Sequence, residues 1–352
     1  MSSLQGFSTG SLDRRCVCRH TSAVPISNEK RELVEPEDLA PIALELAAQW
    51  TDASIEFVRN FDNLVYRIRT APTRYLRITS GARRSHDQVR SELAVVLHTA
   101  DSGIGVARPI PSRSGQLTHR AFSSDDELIA CVFSEAEGAA YENWRDRDSA
   151  AFFVAAGECM GRLHKSLSGF ARPLDFRRFH WKDDRWAQFA DHVPAAEARA
   201  WELFTELESW TRGLSLSDPG FGLIHGDFTI ANFRIGHERV SLFDFDSCCE
   251  HWRAYELAMF LHYFGGRDLE IRRKAYHNTL EGYARAYSLP RQVIDQIPRF
   301  SQMRLLYSFL VFAEEWGFDN LTAQQEAYFE HRRRAFSRES VWSERGLTRN
   351  CS

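Results

Sequence analysis

The sequence predicts an α+β fold of two lobes, a small β-rich N-lobe followed by a larger helical C-lobe. Three observations predict it. Short apolar runs of strand length, joined by tight turns, fill much of the chain before Gly138. Helical periods dominate after Gly138. One cluster of short β-like runs interrupts that helical part near residues 222–243. Strands first and helices second place a cleft between two lobes, with the boundary near Ser134–Gly138.

Bulk properties agree. The 352 residues are long for one compact core and suit two lobes. Hydrophobic residues make up 43% and charged residues 26%, so a sizeable core is available. The net charge of −4 argues against nucleic acid as the main partner, because binding a phosphate backbone needs a basic surface. A nucleotide needs only a few local cations and stays possible. Seven cysteines, odd in number and irregular in spacing, suggest no disulfide framework. Cys16-x-Cys18 with His20 reads as part of a reduced tail, and Cys248-Cys249 as small buried hydrophobes. No run approaches the ~20 apolar residues that span a bilayer. No apolar stretch follows Arg14 and Arg15, so no secretory signal or membrane partner is expected and the cytoplasm is the default location.

The order of elements follows. Residues 1–33, rich in Ser, Arg and Thr without a period, read as a flexible N-terminal tail. The N-lobe spans 34–134. Its first helix runs from Pro36 to Trp50, with Leu39, Ile42, Ala43, Leu46 and Ala47 on one face. Strands are predicted over Ile55–Arg59, Leu64–Thr70 and Arg74–Thr79, with short turns that imply antiparallel hairpins. Ser85 caps a helix to about Ala100, and a last strand covers Leu128–Phe133. The C-lobe spans 135–340. Helices are predicted over Ser149–Ser168, Asp184–His192, Ala195–Gly213, Ala254–Tyr263, Asp268–Tyr287, Arg291–Glu315 and Thr322–Arg338. The β-like runs are Gly222–His225, Phe233–Ile235 and Val240–Phe243. Residues 341–352 read as a C-terminal tail. There is no internal repeat.

The chemistry concentrates in His225-Gly226-Asp227-Phe228-Thr229-Ile230-Ala231-Asn232 and Leu242-Phe243-Asp244-Phe245-Asp246. Apolar residues anchor the strands, so Asp227, Asn232 and Asp244 can converge at their ends. Phosphoryl transfer needs such a set. Hard Mg²⁺ takes carboxylate and amide oxygens, and a separate carboxylate must orient the acceptor hydroxyl and receive its proton.

These two motifs, in this order and with twelve residues from Asn232 to Asp244, resemble the kinase-like phosphotransferases. That group includes aminoglycoside phosphotransferases, choline kinases, homoserine kinases and a stress-response serine/threonine kinase. Its loop reads H-G-D-x-x-x-x-N, followed by a hairpin and D-F-[DE]. The resemblance covers roughly residues 50–340 and implies a protein-kinase-like fold. It implies Asp227 as catalytic base, Asn232 and Asp244 as Mg²⁺ ligands, His225 as a brace, and Asp246 as a supporting or substrate-facing group. It implies Arg77, in Leu76-Arg77-Ile78, as the cation for the phosphates of ATP, held by Glu92. Asn63, in the turn Asn60–Asn63, stands in the phosphate-covering loop, where no Gly-x-Gly-x-x-Gly is present. Phe133 and Ser134 fall where a hinge would meet adenine. Glu256 stands where the family usually has Asp to brace the loop, and Thr229-Ile230 replace a common His-Pro. Gly161-Arg162-Leu163-His164 resembles the helix beneath the loop.

The expected activity is Mg-dependent transfer of the γ-phosphoryl group of ATP to a hydroxyl of a small molecule. Two alternatives stand beside it, a serine/threonine protein kinase and a nucleotide-binding pseudokinase. The absence of an activation loop ending in Ala-Pro-Glu favours the small molecule, and the presence of all three acidic and amide groups opposes the pseudokinase. Glu314, Glu315 and Asp319 read as exposed helix acids rather than a cationic acceptor pocket, and His331–Arg334 as a solvated helix end.

Overall fold

The computed structural model describes residues 39–348, apart from 61, 124–125, 184–185 and 237–238. The N-terminal tail, the start of the first helix, Cys16 and Cys18 lie outside the described residues.

The first helix, α1 (Ala40–Ala47), precedes three antiparallel strands, β1 (Ile55–Asn60), β2 (Leu64–Ile68) and β3 (Arg74–Ser80). After helix α2 (His86–Asp101) come β4 (Gly105–Val106), β5 (Pro109–Ile110), β6 (His119–Phe122) and β7 (Glu127–Ser134). The sheet order is β1-β2-β3-β7-β5, with β6 also pairing β7. Strand alternation decides its two faces. Leu76 and Ile78 join Tyr66, Ile68, Ala130 and Val132 under α1. Arg77 and Thr79 point the other way, toward α2, where Val89 and Leu93 pack on Ile129 and Cys131. Ser85 caps α2 in a reciprocal box with Gln88, which fixes where that helix begins.

The helical part contains α3 (Ala150–Ser168), α4 (Phe189–His192), α5 (Ala198–Thr211), β8 (Phe221–Ile224), β9 (Phe233–Gly236), β10 (Arg239–Leu242), β11 (Cys249–Trp252), α6 (Arg253–His262), α7 (Leu269–Ala286), α8 (Arg291–Ile294), α9 (Ile297–Trp316) and α10 (Ala323–Phe336). α3 and α7 approach so closely that a Cβ on Gly282 would sit 2.0 Å from the Val154 carbonyl oxygen. Among the described residues no helix is long and apolar enough to cross a membrane.

Several boundaries differ from the sequence reading. The helix expected over Arg291–Glu315 is two helices, because Pro298 has no N–H to extend the first and suits the opening turn of α9. Of the helix expected over Asp184–His192, Phe189–His192 is helical, and residues 184–185 lie outside the described residues. Strand β11 was not expected. It pairs antiparallel with β8, Cys249 opposite Ile224. β4, in the expected N-lobe span, pairs in parallel with β10 of the helical part. Residues 341–348, expected as tail, pack down instead. Trp342 is buried and stacks on Tyr276, and Arg273 Nε donates to the Leu347 carbonyl at 2.7 Å.

Candidate active site

The His225–Asn232 loop leaves β8 and is pinned from below by its apolar residues. Phe228, Ile230 and Phe233 are all buried in the large core. Ile230, one of the two residues that replace the common His-Pro, thus anchors the loop. A 3-10 turn over Ile230–Asn232 closes the loop, with the Asn232 N–H donating to the Thr229 carbonyl at 3.0 Å.

Within this loop Asn232 Nδ2 donates to Asp227 Oδ2 at 2.6 Å and to the Asp227 carbonyl at 3.1 Å. The following strand is tied to the same loop. The Phe243 N–H donates to the Asn232 carbonyl at 3.0 Å, and His225 Nε2 donates to the Phe243 carbonyl at 3.1 Å. His225 Nδ1 accepts the Asp227 N–H at 3.2 Å, which assigns the proton to Nε2. His225 therefore braces two segments. Asp244 comes next, held at φ 65°.

Gly226 has φ 82°, and a Cβ there would lie 1.9 Å from the Ser247 carbonyl oxygen. Only glycine fits both constraints. Its N–H donates to Glu256 Oε1 at 2.7 Å, and the His225 N–H to Glu256 Oε2 at 3.2 Å. Glu256 also accepts His164 Nε2 at 2.7 Å, and His164 Nδ1 pairs with the Tyr283 hydroxyl at 2.7 Å. The glutamate thus braces the loop despite its extra methylene. Burial pushes Glu256 up, but His164 and the Gly226 N–H more than offset this and hold its carboxyl below the ordinary value. Burial keeps His164 low, so it works as a neutral donor.

Asp227 is half-buried. Burial raises its carboxyl above the ordinary 3.8, against the pull of Arg304 and His225. A raised carboxyl is a better proton acceptor than an exposed one.

On the N-lobe side, Arg77 meets Glu92 through two parallel hydrogen bonds of 2.7 Å each. Both side chains are buried, and the guanidinium lies 5.2 Å from the Phe133 ring centroid. The fork keeps Arg77 fixed and charged. Asn63 is also buried, but its Oδ1 accepts from the Thr79 hydroxyl at 2.7 Å. The side chain therefore ties the β1–β2 turn to β3. Ser134 is likewise occupied. Its N–H donates to the Arg108 carbonyl and its hydroxyl accepts the Arg108 N–H, both at 2.9 Å.

The two acids of the second motif have different neighbours. Asp244 Oδ2 accepts from Arg59, at the end of β1, at 2.9 Å. Asp246 is buried, bonds Arg83 and lies 3.7 Å from Arg84 Nε, while its carbonyl takes an N–H of Arg178. The guanidiniums of Arg77, Arg83 and Arg84 outweigh burial and hold Asp246 far below the usual carboxylate range. Asp246 therefore latches the loop before α2 to the helical lobe. Arg59, Arg83, Arg84, Arg178 and Arg304 also stand beside the acids of the two motifs or act on them, and neither motif marks them. Arg83-Arg84 beside the Ser85 cap was the available signal for two of them. Arg304 lies far along the chain on α9 and gave none.

Among the described residues no group of three or more His, Cys, Asp or Glu side chains gathers as a metal site. The candidate donors are instead one carboxylate, Asp244, and one amide, Asn232. With Asn232 Nδ2 turned to Asp227, its other terminal atom is an oxygen acceptor. Oxygen donors of this kind fit a hard divalent cation.

A family model described as the phosphotransferase enzyme family matches residues 54–290. Amicoumacin kinase of Bacillus subtilis is 25% identical over 229 residues, 63% of this chain and 67% of the relative. A homoserine kinase of Rhodopseudomonas palustris is 30% identical over 191 residues, 51% of this chain and 53% of the relative. Among solved structures, an amicoumacin kinase in complex with AMP-PNP, Ca²⁺ and Ami superposes with a TM-score of 0.79 at 21% identity, covering 84% of this chain and 92% of that one. A microcompartment-associated aminopropanol kinase gives 0.69 at 21% identity, covering 88% and 97%. The fold is the bilobal protein-kinase-like one that the sequence implied. Matched over more than half its length by the family model, the chain belongs to the phosphotransferase enzyme family.

Proposed function

We propose that the protein is a Mg²⁺-dependent kinase that transfers the γ-phosphoryl group of ATP to a hydroxyl of a small molecule. The observation that carries this reading is the 2.6 Å bond between Asn232 and Asp227, with Asp244 tied to the same loop through Phe243. In this reading Asp227 orients the acceptor hydroxyl in line with the γ-phosphorus and takes its proton. Burial raises its carboxyl above the ordinary value, the direction that favours accepting a proton. Asn232 fixes one Asp227 oxygen and leaves the other for the acceptor. Asp244 and the Asn232 amide oxygen hold Mg²⁺, which when bound neutralises charge on the donor phosphates.

Arg77 steers the phosphates and is itself aimed by Glu92. Asn63 and Ser134 act through the backbone they fix, since their side chains are engaged within the protein. AMP-PNP in the related amicoumacin kinase supports an adenine nucleotide. Relatives named for amicoumacin, aminopropanol and homoserine favour a small acceptor over a protein. The test is ADP release from ATP over a panel of hydroxylated metabolites and antibiotics, with and without Mg²⁺. Acceptor-dependent release that EDTA abolishes is expected. Labelled phosphate appearing on cell protein instead would overturn the choice of acceptor class.

A further inference from the structure

A cavity of about 430 Å³ lies between the loop before α2 and the segment 177–179 of the helical part, and the proposed phosphoryl transfer does not use it. Four arginines line it, Arg83, Arg84, Arg177 and Arg178, together with Phe179. Asp183 is the one carboxylate of the lining among the described residues, and its Oδ2 accepts the His180 N–H at 3.0 Å.

Contacts on the protein side hold these charges in place. Arg178 donates to three backbone carbonyls, those of Gln88, Asp246 and Cys248, which leaves two of its five N–H groups unspent. Arg84 and Arg178 lie 4.6 and 4.9 Å from the centroid of the Phe179 ring, so two like charges share one ring. Arg83 bonds Asp246, while its Nη1, a terminal nitrogen with two N–H groups, has no hydrogen-bond partner. Arg177 is exposed, and its backbone N–H donates to Ser91 Oγ of α2 at 2.8 Å. Its Nη1 meets only the Phe176 carbonyl, at 2.9 Å.

The carboxylates nearby do not balance this charge. Asp246 serves Arg83 and Arg84 from the interior and is not part of the lining. Asp62, 3.5 Å from Arg83 Nε, and Asp183 are open to water, where attraction between opposite charges is worth little. Arg177 and Arg178 have no ion-pair partner among the described residues. Guanidinium forks match the oxygens of a phosphate group, and a dianion relieves the repulsion among them. A cavity of this size takes a small organic molecule along with its anionic group. Its walls come from two parts of the chain, so a ligand that touches both binds only when they stand together.

We propose that this cavity is a second binding site, for a phosphate group either free or carried by a small molecule, and that the bound dianion clamps the loop before α2 to the segment 177–179. No residue of the proposed transfer lines the cavity, so the inference stands apart from the kinase reading.

The test is calorimetry on the full chain at constant ionic strength, with inorganic phosphate, phenyl phosphate, acetate and chloride as probes. Phenyl phosphate has no alcohol to accept a phosphoryl group. Each titration is run on the free chain and on the chain saturated with Mg²⁺ and AMP-PNP. Both phosphates should bind in both forms, at least about tenfold tighter than acetate or chloride. Arg177→Gln and Arg84→Gln should each weaken that binding about tenfold, and Arg177→Lys should keep part of it. Phosphate should also raise the urea midpoint of the wild type and not that of Arg177→Gln. Arg177 is exposed, so without phosphate the midpoint of that variant should match the wild type, which separates a lost ligand contact from misfolding. Tighter phenyl phosphate would assign the site to a phosphate ester and equal binding to the free ion, and both support the proposal. Acetate or chloride that binds as well as phosphate, no phosphate binding at all, or binding unchanged in both glutamine variants each overturns it. So does phosphate that AMP-PNP displaces, which would place the ion in the nucleotide site. Failure to bind Mg²⁺ and AMP-PNP would defeat the kinase reading alone, and the titrations of the free chain and its variants would still decide this site.

Discussion

Glu256 Oε1 accepts the backbone N–H of Gly226 at 2.7 Å, and through that bond a helix buried in the C-lobe holds the turn that presents Asp227. The other oxygen serves His225 and His164. Glu256→Ala leaves two backbone donors and a buried histidine unsatisfied. A loss of roughly 3–5 kcal/mol is expected, read as a lower urea midpoint. The pH dependence has a definite sign. The Glu256 carboxyl is depressed below its ordinary 4.5. Its stabilisation is therefore full above that value and is lost as pH falls through the folded one. The gap in midpoint between wild type and Glu256→Ala should narrow in acid. A gap that widens in acid would contradict this role.

Arg77 and Glu92 form the best-defined ion pair of the N-lobe, two bonds of 2.7 Å between buried groups. Lysine keeps the charge but cannot make both bonds. Arg77→Lys should raise the KM for nucleotide about tenfold, from the lost aim of the cation, and cost roughly 1–3 kcal/mol of stability. Arg77→Ala should cost roughly 3–5 kcal/mol, because Glu92 is left charged and buried. Nucleotide KM and denaturation midpoints measured together check both. Arg77→Lys with unchanged nucleotide KM would remove Arg77 from the phosphate site.

Much of this site was legible in the sequence, because its chemistry lies in two short motifs. His225 through Asn232 and Asp244 through Asp246 carry fixed spacings between apolar strands, and such spacings survive without knowledge of packing. Leu76-Arg77-Ile78 was legible for the same reason, since strand alternation alone turns Arg77 away from the α1 core. What was not legible depends on distance along the chain. Arg59 reaches Asp244 from 185 residues away, and Arg304 sits on a helix whose local pattern reports only burial. Asn63 stands in the expected turn and Ser134 ends β7 rather than following it, and their side chains are engaged by Thr79 and Arg108, partners that no local pattern names. Strand β11 was hidden because Cys249–Trp252 is short and merges with the start of α6. The packed segment 341–348 was read as tail although Trp342, a large apolar residue, argued against it.

Gly226 and Gly115 share φ 82°, but they differ in what surrounds them. A Cβ at Gly226 meets the Ser247 carbonyl oxygen at 1.9 Å, whereas one at Gly115 meets nothing within 4 Å. Gly115→Ala should cost only backbone strain, about 1 kcal/mol, and leave turnover unchanged. Gly226→Ala adds a clash that must displace the loop. Its turnover should fall on the order of 100-fold, the effect of a misplacement near 1 Å. Equal behaviour of the two variants would show that the Gly226 turn does not set the position of Asp227.

The most direct measurement is the single-turnover rate of phosphoryl transfer by Asp227→Asn, on whichever acceptor the wild type uses. Asparagine keeps the shape of the side chain but cannot take the proton of a hydroxyl. The rate should fall roughly 10²–10⁴-fold, while binding of Mg²⁺ and AMP-PNP persists through Asn232, Asp244 and Arg77. An Asp227→Asn protein that transfers phosphate at the wild-type rate would contradict the account.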